Sequence, residues 1–439
     1  MRVLILSAET WRDDSNGGNV LSNIFSGLPY TFAQIYCNPG DPFNSLCKDY
    51  YQITDRDIIN YLLKPSAKRQ KKVGRIRKYS EYPKNQSSWE SNAGNTTIYK
   101  VAKKLRFESM YVAQEMLWGM VPLENHELQK FVEENNPDVI FAPCYASHRM
   151  LRLARYLKRI TGKPIISYVS DDNYSLKQFK FSPIFWINRL LLRKHMRQTV
   201  PLYSLLYTMT DEQKDELEKI FDVPIKVLRK HADFDKTQDR SHKTRDRIRL
   251  IYAGGIYLNR WKTLAELARC IDLINKEGGI QFQLDIYTNN DLSKKQNRKL
   301  NLANASCVHK AVPFDRLMQI YKESDIAIHC ESFDKKYEFD TRLSFSTKII
   351  DCLQSGCAVL AIAWKRHSGL IYLRKEDAAF CVDNLADVEG VLRKIKSSPE
   401  LIDEYAQKAW QCGRRNHNTE DVRKSLSEDF QHVIGDAAN

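Results

Sequence analysis

Short apolar runs recur along this chain, separated by longer stretches in which hydrophobic residues return every three or four positions. The runs are Arg2–Ser7, Phe32–Cys37, Asp138–Phe141, Pro164–Val169, Leu202–Thr208 and Ile225–Leu228, then Ile248–Tyr252, Gln281–Tyr287, Asp325–Cys330, Ala358–Ala363 and Ala378–Val382. Runs this short predict strands, and the unbroken apolar run Ala358–Ala363 predicts a parallel strand buried on both faces. Helical periodicity predicts helices through Val20–Phe25, Ser147–Ile160, Thr210–Phe221, Thr263–Glu277 and Phe314–Ser324. Strand–helix alternation of this kind defines an α/β protein. The pattern breaks in the polar segment His231–Arg247 and then restarts, which predicts two doubly wound domains, residues 1–235 and 247–414. A last amphipathic helix, within 415–439, carries Val422, Leu426, Phe430 and Val433 on one face.

The second domain centres on Leu343–Trp364, which reads as a loop, a short helix, a glycine turn at Gly356 and a buried strand. Ser346 and Thr347 are good N-cap residues ahead of Lys348. A helix start offers unpaired N–H groups to a phosphate, and Lys348 adds charge. Asp351 shares a helix face with Thr347, where a carboxylate can accept from ribose hydroxyls. Other chemistry falls at strand ends, the edge at which doubly wound sheets bind ligands. In the first half these are Gly17 and Gly18, Cys144 and His148, and Asp171 with Asp172. The second half adds Gly254, Gly255, Arg260 and Lys262. His148 reads equally as an acceptor-activating group or a helix cap.

Charge and cysteine content narrow the picture. The net charge of +14 implies a polyanionic partner. Lys64–Lys78 holds eight basic residues and no acid, and the polar stretch after it to Thr97 reads as a long insertion. Phe179–Arg197 mixes aromatic, aliphatic and cationic residues. It is too short and charged to span a bilayer, and reads either as an interfacial helix or as a core helix with a basic outer face. Ten cysteines lie scattered without a C-x-x-C pair or a His/Cys cluster, so reduced thiols in the cytoplasm are expected and no metal site is. Asp233-x-Asp235, alone in a charged linker, is not read as one. No strand leads into G-x-G-x-x-G, which argues against a dinucleotide oxidoreductase. Base-stacking aromatic patterns are missing, which disfavours a nucleic-acid partner.

The residues YAGGIYLNRWKTL at 252–264 and FSTKIIDCLQSGCAVLA at 345–361 resemble the donor domain of family 4-like, retaining, nucleotide-sugar glycosyltransferases. The two-domain plan extends the likeness over nearly the whole chain. The resemblance implies a GT-B fold, two Rossmann-like domains facing each other across a cleft, with the last helix returning to the first. Gly254 and Gly255 match the glycine turn, Arg260 and Lys262 the diphosphate-binding pair, and Ser346, Thr347 and Lys348 the phosphate cradle. Asp351 takes the place of the second glutamate of the E-x7-E motif. The first is Leu343 here, so Glu338, Asp340 and Arg342 are expected to reach the donor sugar instead. The acceptor, a glycan or a lipid-linked one, is expected near Gly17, Gly18, His148 and Asp171. The implied activity is retaining transfer from a nucleotide sugar without a metal or other cofactor, in bacterial surface polysaccharide synthesis. The basic segments add an anionic membrane surface as partner, at the inner face of the plasma membrane. A GT-B epimerase or hydrolase is the alternative, and it needs an acid/base pair that the sequence does not display.

Overall fold

A computed structural model describes residues 1–12, 16–42, 44–64, 73–79, 108–123, 125–234 and 247–438. The first domain is built on an eight-stranded sheet. Its strands are β1 (Arg2–Ser7), β2 (Thr31–Tyr36), β3 (Cys47–Gln52), β4 (Arg75–Lys78), β5 (Val139–Phe141), β6 (Ile165–Val169), β7 (Leu205–Thr208) and β8 (Ile225–Val227). They lie in the order β4-β3-β2-β1-β5-β6-β7-β8. All pairings are parallel except β3–β4. The second domain has a wholly parallel six-stranded sheet. It comprises β9 (Arg247–Ala253), β10 (Gln281–Thr288), β11 (Ser306–Lys310), β12 (Ile326–Cys330), β13 (Ala358–Ile362) and β14 (Phe380–Val382), ordered β11-β10-β9-β12-β13-β14. Every residue of β6, β12 and β13 is buried, as their unbroken apolar character requires. The order reverses between β1 and β5 and between β9 and β12, which creates one switch-point crevice in each domain.

Several elements differ from the sequence reading. The Gly17–Gly18 pair lies inside the first turns of a helix, Asn16–Phe25, and not in an open loop. A β-carbon on Gly18 would overlap the Arg12 backbone, so that glycine serves close packing. Part of the basic insertion is an edge strand, in which Arg75 donates to the Gln52 side chain and Arg77 pairs with Asp41. Residues 65–72 and 80–107 lie outside the described residues. The polar edge strand β11 and the helices Lys335–Thr341, Ser368–Lys375, Val388–Ser397 and Leu401–His417 add to the expected set.

The chain crosses between domains twice, at one place. Ala232 bridges Asn418, with the Ala232 amide donating to His417 and the Thr419 amide to Ala232. Beyond this point the helix Thr419–Ala438 packs on the first domain. Phe430 lies against Phe25, Tyr30 and Phe141, and Tyr207 donates to Asp429 at 2.6 Å.

Candidate donor site and interdomain cleft

The second domain's crevice opens where β9 ends in Gly254–Gly255 and β12 ends in Glu331. Gly254 has φ of 152°, a conformation other residues avoid, and a β-carbon there would overlap the Lys348 side chain. One on Gly255 would strike the Tyr257 ring. The glycines therefore let Lys348 and Tyr257 close over bare backbone. The Lys348 ammonium lies 5.4 Å from the centre of the Tyr252 ring. It forms no ion pair or hydrogen bond among the described residues, and burial, with Arg260's charge next, lowers its pKa. An uncompensated, partly desolvated cation at a switch point is complementary to an anion.

Arg260 opens the helix Arg260–Lys276 and is already engaged. Glu331 accepts from it bidentately at 2.8 and 2.9 Å, and the two side chains are only 11% and 4% exposed. Burial opposes ionisation of Glu331, but neighbouring positive charge, at neutral pH chiefly Arg260, outweighs it and holds the carboxyl low. His329 and His367 flank the pair; burial keeps His329 neutral, with its pKa down to about 3, and lowers that of His367. Glu331, His329 and His367 escaped the sequence reading. The available signal for Glu331 was an acid immediately after an apolar strand.

Other expected site residues have definite partners. Lys262 turns outward to Asp334, at 2.7 Å, and does not converge with Lys348. Thr347 precedes the seven-residue helix Lys348–Gln354, but its backbone is already helical and its side chain does not cap. The Ser346–Thr347 pair thus leaves its hydroxyls out of capping, and a helix this short contributes little dipole. Asp351 pairs at 2.5 Å with Lys230, just after β8, so a ribose contact would have to share or displace that lysine. Asp340 and Arg342 face the first domain instead of the donor sugar. Asp340 pairs with Lys180 at 3.1 Å. Arg342 clasps Asp172 at 2.8 Å and Glu216 at 2.6 Å. Glu338 lies in the same short helix, and its pKa is raised by partial burial.

On the first domain, His148 sits between two helices, 2.8 Å from the Asn188 side chain and edge-on to His195. This packing role accounts for its position. Asp171 follows β6 beside the Asp172–Arg342 pair. Its side chain is exposed, yet desolvation by the surrounding protein raises its carboxyl pKa, and Asp172's like charge adds to that. Its carboxylate accepts from the Ser170 hydroxyl at 3.4 Å and forms no ion pair among the described residues.

Comparison with known proteins agrees with this architecture. Residues 269–426 match a family model described as glycosyl transferase-like. A comparison with curated protein sequences gives no match. Among solved structures, α,α-trehalose 6-phosphate synthase from Burkholderia multivorans aligns over 99% of both chains at 11% identity and TM-score 0.61. Anabaena HepE in complex with UDP and glucose aligns over 98% of this chain and 100% of its own, at 10% identity and TM-score 0.59. Sucrose-phosphate synthase from Thermosynechococcus elongatus aligns over 99% of both chains at 10% identity and TM-score 0.59. The molecule has the GT-B fold, with a glycosyltransferase-family sequence over most of its second domain.

Proposed function

We propose that the enzyme transfers a sugar from a nucleoside diphosphate sugar to a glycan or lipid-linked acceptor, with retention and without a divalent metal. The observation that carries this reading is Lys348, a cation that forms no ion pair among the described residues and lies over the bare Gly254–Gly255 backbone. Breaking the sugar–phosphate bond builds negative charge on the departing diphosphate. Lys348, with Arg260 beside it, stabilises that charge as it forms. Glu331 fixes the Arg260 guanidinium and tempers its charge, so Lys348 supplies the larger net field. Asp171 is the group we assign to the acceptor hydroxyl, which arrives from the first domain's edge. Because structural relatives are described in complex with UDP, UDP-glucose or glucose, uridine diphosphate sugars are the first donors to test. A screen for slow hydrolysis across nucleotide sugars, in the presence of chelator, tests the reading without an acceptor. Release of nucleoside diphosphate from one donor is expected. Release only on adding a divalent metal, or from none of the donors, contradicts it.

The same reading includes surface polysaccharide synthesis at the inner face of the plasma membrane. The helix Pro183–Thr199 supports this reading through its two apolar sides, since it buries Leu192 and Met196 against the domain and leaves a second apolar face outward. It buries Arg189, which donates to the carbonyls of Asp172, Asn173 and Ser175. It exposes Ile184, Ile187 (61% exposed), Leu190 and Leu191, next to Phe181 at 86%. Lys194 and Arg197, both exposed, follow on the same helix, a combination that suits an anionic bilayer surface. No helix among the described residues is long and apolar enough to cross a membrane. Flotation with phosphatidylglycerol vesicles should recover the protein at low salt, and Ile187→Ser with Leu190→Ser should reduce recovery several-fold. No recovery at low salt contradicts the membrane reading and points to a soluble acceptor.

A further inference from the structure

Away from the cleft, the first domain holds a second concentration of positive charge. Arg152, Arg155 and Arg159 share the helix His148–Thr161, and their spacing puts them on one face. With Pro122, Leu123 and Tyr156 they line a recess of about 360 Å³. Arg152 donates to the carbonyls of Trp118, at 2.6 Å, and Val121, at 3.2 Å. Arg155 donates to the His195 carbonyl at 3.3 Å and the Thr199 hydroxyl at 2.5 Å. These bonds fix both guanidinium groups without neutralising them, and neither forms an ion pair among the described residues. Arg159 lies with its guanidinium 5.4 Å from the Tyr156 ring centre.

The charge here is crowded. Burial lowers the pKa of Arg152 and Arg155, and Arg152 acts further on Arg155. Beside them His195 is held neutral, its pKa down to about 4 through burial and the surrounding cations. Glu115 is the acid that bears on Arg152, but its ion pair is with Arg149, at 3.9 Å. Holding desolvated like charges together costs stability, and an anion in the recess would recover it. Guanidinium pairs suit tetrahedral oxyanions, which they meet with two parallel hydrogen bonds.

We propose that this recess is a second anion site, taking a phosphate group from either a lipid headgroup or a free phosphate. It is separate from the donor cleft: His148 starts the helix at the cleft edge, and Arg155 and Arg159 lie about 10 and 16 Å farther along its axis. It adjoins the carboxyl end of the 183–199 helix through His195 and Thr199, so a phosphodiester lying beside that helix's apolar face would reach it.

The test uses full-length protein carrying Lys348→Met, so that the donor cleft does not contribute. Pyrophosphate binding is measured by calorimetry, and phosphatidylglycerol vesicle binding by flotation, with Arg155→Gln and Arg159→Gln added in turn. Arg159 is exposed, so its substitution reads binding even where Arg155→Gln disturbs the helix. Each variant should weaken pyrophosphate binding by about tenfold or more. A parallel loss of vesicle binding identifies the lipid headgroup as the source, and unchanged vesicle binding identifies free phosphate. Pyrophosphate affinity unaltered by both variants, or no binding before they are introduced, overturns the site. None of these outcomes depends on which donor the second domain uses.

Discussion

Replacing Lys348 by methionine should reduce donor turnover by about 10²–10³-fold while leaving the protein at least as stable as before. Both parts follow from one feature. The ammonium has no counter-ion among the described residues and is partly withdrawn from water, with a pKa lowered first by burial and next by Arg260. Holding it charged therefore costs the folded state something. Methionine keeps an unbranched chain against Tyr252 and over Gly254 and removes only the charge. A structural lysine would behave in the opposite way, losing stability with little change in rate. The pair of measurements, kcat/KM for donor hydrolysis and Tm, separates the two. A rate within about threefold of the parent, or a clear fall in Tm, removes Lys348 from the diphosphate site.

Glu331→Ala should have the largest effect on stability. It leaves the Arg260 guanidinium buried without the bidentate partner it meets at 2.8 and 2.9 Å. Breaking one side of such a pair costs on the order of 3–5 kcal/mol. Removing both sides is a different matter, because the desolvation cost disappears with the charges. Arg260→Met combined with Glu331→Leu should recover most of the lost stability. The double variant should not recover turnover, since Arg260 no longer faces the departing diphosphate. Denaturant titration of the three variants checks this. A Glu331→Ala protein as stable as the parent would show that Glu331 does not hold Arg260.

The features legible in the sequence are those set by local pattern. Strands such as Ile326–Cys330 and Ala358–Ile362 are buried on both faces, so composition alone marks them. The Gly254–Gly255 turn was legible for a similar reason, since glycine pairs at strand ends report close approach. Glu331 was not legible as part of the site, because its partner lies 71 residues away and nothing in local spacing links them. The same holds for Arg342, whose acids stand 170 and 126 residues off; read locally it pointed to the donor, and the fold turned it to the other domain. Helix Pro183–Thr199 resisted for a different reason. Its apolar residues lie on two sides, Leu192 and Met196 buried and Ile187 and Leu190 exposed, so periodicity alone does not say which side faces the core. Thr347 failed as a cap because good cap residues are also tolerated in the first helical turn, which its φ of −57° and ψ of −22° describe.

The central claim is that a nucleoside diphosphate is held on the Gly254–Gly255 backbone by Lys348, with no metal between them. Calorimetric titration of uridine diphosphate and its counterparts into the parent protein and Lys348→Met, both in excess chelator, tests it most directly. The account predicts that one nucleoside diphosphate binds the parent under these conditions, and that the variant binds it about tenfold or more weakly. Equal affinity in the two proteins, or binding that appears only when a divalent metal is restored, would contradict it.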